Sequence, residues 1–258
     1  MPTLENAQQS AFIKLILIGD SGTGKTGALA SLVKSGFRLR VWDYDNKLAG
    51  GILPMIIKRD CPDKLKEVEY VSLRDDYKPG TTMYEGGLPK AWEQGLRLMD
   101  TWTDGTRPKE WGQNTIAVFD SLTFMGDAAL NHISALNPTA KDQRNWYWNA
   151  QKAVDKTLAT ISSVHFQCHS IVISHVDWVN RPDGTMKGYP SSVGSALNAY
   201  IPSYFENMAL CETNSGKRYI RTAPTALVDL KSPAAAFNLA PQLPIETGLS
   251  TFFTTLRS

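Results

Sequence analysis

The most constraining stretch of this chain is Gly19-Asp20-Ser21-Gly22-Thr23-Gly24-Lys25-Thr26, which has the G-x-x-x-x-G-K-[ST] spacing of a phosphate-binding P-loop. Its flanks agree. Phe12 to Ile18 is an apolar, β-branched run that reads as a buried strand, and Thr26 to Lys34 reads as a helix closed by Gly36. A strand, a glycine-rich turn and a new helix curl backbone N–H groups around an anion and aim the positive end of the helix dipole at it. Gly27 completes the cradle. Lys25 is then placed to reach the β- and γ-phosphates of ATP, and the Thr26 hydroxyl to ligate Mg²⁺. The same residues also spell Gly22-x-Gly24-x-x-Gly27, a dinucleotide fingerprint with Asp43 at a suitable distance. That fingerprint needs neither Gly19 nor a lysine–hydroxyl pair, so the P-loop accounts for more of the sequence.

The segments after the P-loop imply an α/β fold with a mostly parallel, twisted sheet flanked by helices. Arg38 to Asp45 reads as a second strand ending in acids. Leu48 to Lys58 reads as a loop and broken helix, because it contains Gly50, Gly51 and Pro54. Glu67 to Leu73 alternates as an edge strand does, and residues 74–87 read as a surface loop. Trp92, Leu96, Met99 and Trp102 recur at helical spacing, which predicts a core-facing stripe. Thr115 to Asp120 and Ser170 to His175 read as further buried strands. The helices expected around them are Ser121 to Leu136 and Arg144 to Phe166. Asn214-Ser215-Gly216 predicts a C-terminal β-hairpin. The tail from Pro233 onward gives little pattern.

Composition narrows the class. The 258 residues, 42% of them apolar, suffice for a single large domain, and the pattern thins into a tail over 233–258. A net charge of +2 excludes global basicity as a means of holding nucleic acid, so any such contact is local. Three scattered cysteines fit a reducing compartment rather than a disulfide framework. No apolar run approaches a membrane span, and Met1 to Ser10 lacks a signal-peptide pattern, so a cytoplasmic location without membrane contact is expected.

A P-loop enzyme needs a second acid to hold Mg²⁺ through water, and Asp120, at the end of an apolar strand, fits. It also needs a group to orient or deprotonate water. Asp45 is the favoured base, with Asp43 holding the loop or lying nearer the metal; the plain alternative is that both are solvated turn carboxylates. His175 ends a strand where ligands collect and is a candidate sensor of the γ-phosphate, or a structural histidine. His165, Cys168 and His169 lack a second ligand cluster and are better read as ordinary polar residues than as a metal site. Two segments combine cations with aromatic rings. Asn137 to Trp148 holds Lys141, Arg144, Trp146, Tyr147 and Trp148, and Val176 to Pro190 holds Trp178, Arg181, Lys187 and Tyr189. Cations that track phosphates beside rings that stack on bases suit single-stranded DNA; core tryptophans and solvated charges are the plain alternative.

In this order GDSGTGKT, VWDYD, IAVFDS and IVISH resemble the ATPase core of RecA-type recombinases. The resemblance implies a RecA-like P-loop core, Asp120-Ser121 as Walker B, His175 as the polar sensor, and DNA-binding loops at the two basic-aromatic segments. The segment VGSALNAYIPSYFENMALCET, the hairpin after it and LKSP are similar to small phage-type ATPases with a RecA-like core, some of which anneal single strands. The likeness spans about residues 12–232. It implies an ATPase that binds single-stranded DNA, promotes annealing or recombination, forms a ring or filament of identical subunits, and works beside a single-strand DNA-binding protein in the host cytoplasm. The chain has no room for the extra domains of full recombinases. Asp45 stands where that family carries a glutamate, which leaves open a nucleotide-gated DNA-binding scaffold with negligible turnover. A small-molecule kinase would need an arginine-rich lid and an acceptor pocket, and neither is legible.

Overall fold

The computed structural model describes residues 12–81, 83–139, 142–232 and 238–257. Its strands are β1 (Lys14–Ile18), β2 (Arg38–Asp43), β3 (Val68–Ser72), β4 (Thr115–Asp120), β5 (His169–Ser174), β6 (Val176–Asn180), β7 (Met186–Pro190), β8 (Asn207–Asn214), β9 (Lys217–Arg221) and β10 (Gln242–Pro244). Its helices are α1 (Lys25–Ala28), α2 (Ala30–Lys34), α3 (Ile52–Asp60), α4 (Ala91–Asp100), α5 (Leu122–Leu136), α6 (Arg144–Ser162), α7 (Ser195–Asn198) and α8 (Gly248–Arg257).

Eight strands form one sheet in the order β10-β9-β8-β1-β5-β4-β2-β3. From β8 to β3 every pairing is parallel, while β9 and β10 extend the sheet antiparallel. This is the α/β class expected, with its mostly parallel sheet and its C-terminal hairpin. At the β8–β9 turn Ser215 and Gly216 both have positive φ, the two-residue turn that matches strand twist. Strand β3 lies at the edge, as its alternation implied.

The pleat divides the core. Ile16, Ile18, Trp42, Phe119 and Val172 face α4, α5 and α6, while Leu15, Leu17, Val41, Val118 and Ile171 face α1, α2, α3 and α8. Both faces are covered, which is why these strands read as unbroken apolar runs. Among the described residues no helix is long and apolar enough to cross a membrane.

Four expectations need correction. Residues 52–60 form an unbroken helix: Gly51 caps it, and Pro54 falls in the first turn, where an N–H has no intrahelical partner to lose. The stripe on α4 is shifted: Trp92 and Trp102 are buried, but Leu96 is 39% exposed and Leu98 takes the inward place. Gly95 also faces inward, where a side chain would collide with the Tyr44 hydroxyl. Val176 to Pro190 is not a loop but the antiparallel hairpin β6–β7. Finally, the tail carries β10 and α8, and Phe252 and Phe253 of α8 are fully buried. Met1 to Ser10 and residues 233–237, for which the sequence also raised expectations, lie outside the described residues.

A candidate nucleotide site at the carboxyl edge of the sheet

Strand β5 separates β1 from β4, so the chain leaves β1 to one side through β2 and returns on the other through β8. The carboxyl edge at such a switch point is where an open α/β sheet forms a crevice. There the ends of β1, β2, β4 and β5 deliver the P-loop, Asp43 with Asp45, Asp120 and His175. A cavity of about 610 Å³ opens at this edge, lined by Lys25, Thr26, Asp45, Asp120, Ser121 and His175 among others.

Residues 19–24 make the turn from β1 into α1. Gly24 caps α1 at φ 97°, a left-handed conformation that a side chain would strain. At Gly19 a side chain would approach the Cys211 carbonyl oxygen of β8 to 2.5 Å. The Lys25 ammonium folds back over the loop, donating to the carbonyls of Gly19 at 2.7 Å and Asp20 at 2.9 Å. Burial pulls the Lys25 pKa below its ordinary value, against the pull of Cys211, Asp120 and Asp20. The Thr26 hydroxyl donates to Asp120 Oδ2 at 2.7 Å. The two side chains expected to share a metal are thus already in contact, from positions 94 residues apart.

The acids divide their work. Asp43 accepts from the backbone N–H groups of Leu48 at 3.0 Å and Lys47 at 3.3 Å, so it holds the turn after β2. Asp45 faces the cavity, and its Oδ1 is buried without a hydrogen-bond partner, while Lys47 Nζ lies 3.7 Å from Oδ2. An orphaned acceptor beside Lys25 and Asp120 is suited to water or to a hydrated cation. Among the described residues no three His, Cys, Asp or Glu side chains converge as a metal site. A P-loop does not require one: Thr26 would hold Mg²⁺ together with phosphates and water, and Asp120 would act through water. The residues therefore fit ATP–Mg²⁺.

Asp120 is buried, which pushes its pKa up to about 6; Asp45 and Asp43 add to the shift, and the Thr26 bond and Lys25 oppose it. The consequence for stability has a definite sign. Between its ordinary value near 4 and about 6, the folded chain keeps a proton that the unfolded chain releases, so stability falls as pH rises through that window. Asp120→Asn should then be more stable than the parent at pH 7, by up to about 3 kcal/mol, with the gain fading towards pH 4. Urea unfolding at several pH values checks this; a difference that does not change with pH would contradict it.

His175 lines the same cavity, with Nδ1 3.3 Å from Thr123 Oγ1. Burial, and then the charge of Lys25, lower its pKa, so the ring is neutral at neutral pH. Its carbonyl accepts from Ser191 N–H at 2.9 Å, tying it to the segment after β7. By contrast, His169 is fully buried among the rings of Phe12, Phe37 and Phe253 and takes the Ile13 N–H on Nδ1, a packing role.

The residues expected to meet DNA fall into different settings. Trp178 is partly exposed and lies across from Gly188, and its indole N–H donates to Asp20 Oδ1 of the P-loop at 3.1 Å. Arg181 is exposed in the hairpin turn and donates to the Tyr189 hydroxyl. Lys187 is different: it is buried, with its ammonium on Asp229, so it stands as a packing ion pair rather than a free surface cation. Arg144 begins α6 and is paired with Asp142, beside exposed Tyr147 and Trp148. Lys141 lies outside the described residues. No pattern in the sequence signals the Trp178–Asp20 contact, or Arg218, Ile245 and Glu246, which line the cavity from β9 and the segment after β10.

No family model matches this chain, and no curated protein does. Among solved structures it is similar to the RadB recombinase, at 14% identity and a TM-score of 0.45, over 83% of this chain and 84% of that one. It is also similar to a prototypical ATPase from the type III secretion system of pathogenic bacteria, at 16% identity and a TM-score of 0.46. That match covers 78% of this chain and 52% of the other, so the chain spans about half the length of that protein. Likeness this distant says nothing of what the chain binds.

Proposed function

We propose that the chain binds ATP–Mg²⁺ at the P-loop, hydrolyses it, and uses the nucleotide state to control single-stranded DNA binding during annealing or recombination. The observation that carries the nucleotide half is the Thr26–Asp120 contact of 2.7 Å beside a cradle closed by Lys25. Bound Mg²⁺ would neutralise charge on the transferred phosphoryl group. The chain's own residues do the rest: the loop N–H groups orient the phosphates, Lys25 holds the γ end, and Asp45 takes a proton from water. His175, neutral and joined through its carbonyl to the segment after β7, is the proposed sensor. An assembly of identical subunits, a phage origin and a cytoplasmic setting belong to the same proposal and follow only from the sequence resemblance. A magnesium-dependent ATPase assay, with and without single-stranded DNA, tests it.

The DNA half is supported by the exposed cations and rings on the hairpin and on α6. Arg144→Ala with Arg181→Ala should leave ATP affinity intact and weaken single-stranded DNA binding. The log–log salt slope should fall by about 0.7 for each phosphate that the variant no longer neutralises. Fluorescence anisotropy across a salt series measures this, and an unchanged slope would place DNA elsewhere. The Trp178–Asp20 bond also favours a second reading, a nucleotide-gated scaffold with negligible turnover, because it links the hairpin directly to the P-loop, where nucleotide binding alone could alter it. ATP-dependent DNA binding without phosphate release would select that reading.

A further inference from the structure

Away from its acidic end, the cavity is lined by two groups of residues that pack on neighbouring positions of the P-loop. On one side α3 leans on Gly27: a side chain built there would meet Ile56 Cδ1 at 3.4 Å and Ile52 Cγ2 at 3.5 Å. On the other side β9 and the segment after β10 lean on Gly24, where a side chain would meet Arg218 Cδ at 3.1 Å and Ile245 Cγ1 at 3.5 Å. Glu246 stands at the rim of the same cavity. Arg218 is exposed, and among the described residues its side chain has no hydrogen bond or ion pair. A cation is therefore held beside the phosphate cradle with its planar end uncommitted.

We infer that this slot is a nucleobase subsite, in which a flat heterocycle lies between the Ile52–Ile56 wall and the guanidinium of Arg218 backed by Ile245. The inference rests on the nucleotide reading above and adds which residues distinguish a nucleoside from bare polyphosphate. The chemistry is specific. The Ile52–Ile56 side offers an apolar face to one side of the ring, and on the other a guanidinium plane can both attract and stack on an aromatic ring, whereas an ammonium offers charge without a plane. The Glu246 carboxylate accepts hydrogen bonds, and a nucleoside offers sugar hydroxyls or an exocyclic amine as donors. Arg218 and Ile245 reach this place because β8 pairs with β1 and β9 and β10 extend the sheet beyond β8, so the C-terminal part of the chain contributes to the site.

Calorimetric titration with two ligands, ATP and inorganic tripolyphosphate, both with Mg²⁺, tests this. The intact chain should prefer ATP. Arg218→Ala should lose about tenfold in ATP affinity and nothing in tripolyphosphate affinity, and Arg218→Lys should not restore it fully, because an ammonium attracts the ring face but has no plane to stack. Lys25→Ala, in contrast, should weaken both ligands. Equal losses of both in Arg218→Ala, no loss of ATP, or full rescue by lysine would overturn the subsite and leave the nucleotide reading standing. An intact chain that bound neither ligand would overturn both.

Discussion

Lys25→Ala should weaken ATP binding by roughly 30-fold to several thousand-fold, the cost of about 2–5 kcal/mol for removing one partner of a buried charge pair. Lys25 is 8% exposed, and its ammonium already bridges two carbonyls of the loop that would surround the phosphates. Among the cations that line the cavity, Lys34 and Arg59 are paired with Asp60, Lys47 with Asp45, and Arg218 lies outside the cradle, so none replaces it at the γ end. Calorimetry with ATP–Mg²⁺ reads the effect. Thermal unfolding of the variant, run alongside, should show a folded protein, since the hydrogen bonds removed are confined to the loop. ATP affinity equal to that of the parent would mean that the P-loop does not hold the nucleotide.

The second large effect belongs to turnover. Asp45→Asn keeps the shape of the side chain but removes its charge and its capacity as a base, so the ATPase rate should fall by about 10²-fold or more while ATP still binds. The buried and unpartnered Oδ1 of Asp45 is the structural reason for choosing this acid. Asp43 supplies the control. Its oxygens are engaged by the Leu48 and Lys47 N–H groups, so Asp43→Asn should loosen the turn after β2 and affect stability more than chemistry. A rate lost in Asp43→Asn and kept in Asp45→Asn would exchange the two roles.

Much of this site was legible because it is local. Residues 19–27 place cradle, lysine and hydroxyl by chain geometry alone, and an apolar strand ending in Asp120 needs only a parallel sheet to reach them. The β8–β9 hairpin was legible for the same reason, since its turn sits in the two residues Ser215 and Gly216. The features that escaped depend on distant partners. Nothing near Lys187 announces Asp229, 42 residues on, which turns an apparent surface cation into a packed ion pair. Nothing near Trp178 announces Asp20, 158 residues back. Leu96 has helical spacing with Trp92 and Met99, yet faces outward because the wide buried face of α4 is centred on Ala91, Trp92, Gly95 and Leu98. Residues 52–60 form a helix despite Pro54, because a proline breaks a helix only beyond the first turn, and Pro54 lies within it. Arg218 had no pattern to find. Its place follows from β8 pairing with β1, and only the assembled sheet brings β9 over Gly24.

The most direct measurement of whether this chain is a DNA-responsive ATPase is phosphate release from ATP by the intact protein, with and without Mg²⁺ and single-stranded DNA, and with Lys25→Ala as the baseline. Release that requires Mg²⁺, exceeds the baseline and rises when DNA is added is the predicted result. Release no greater than that of Lys25→Ala, under every combination, would contradict it.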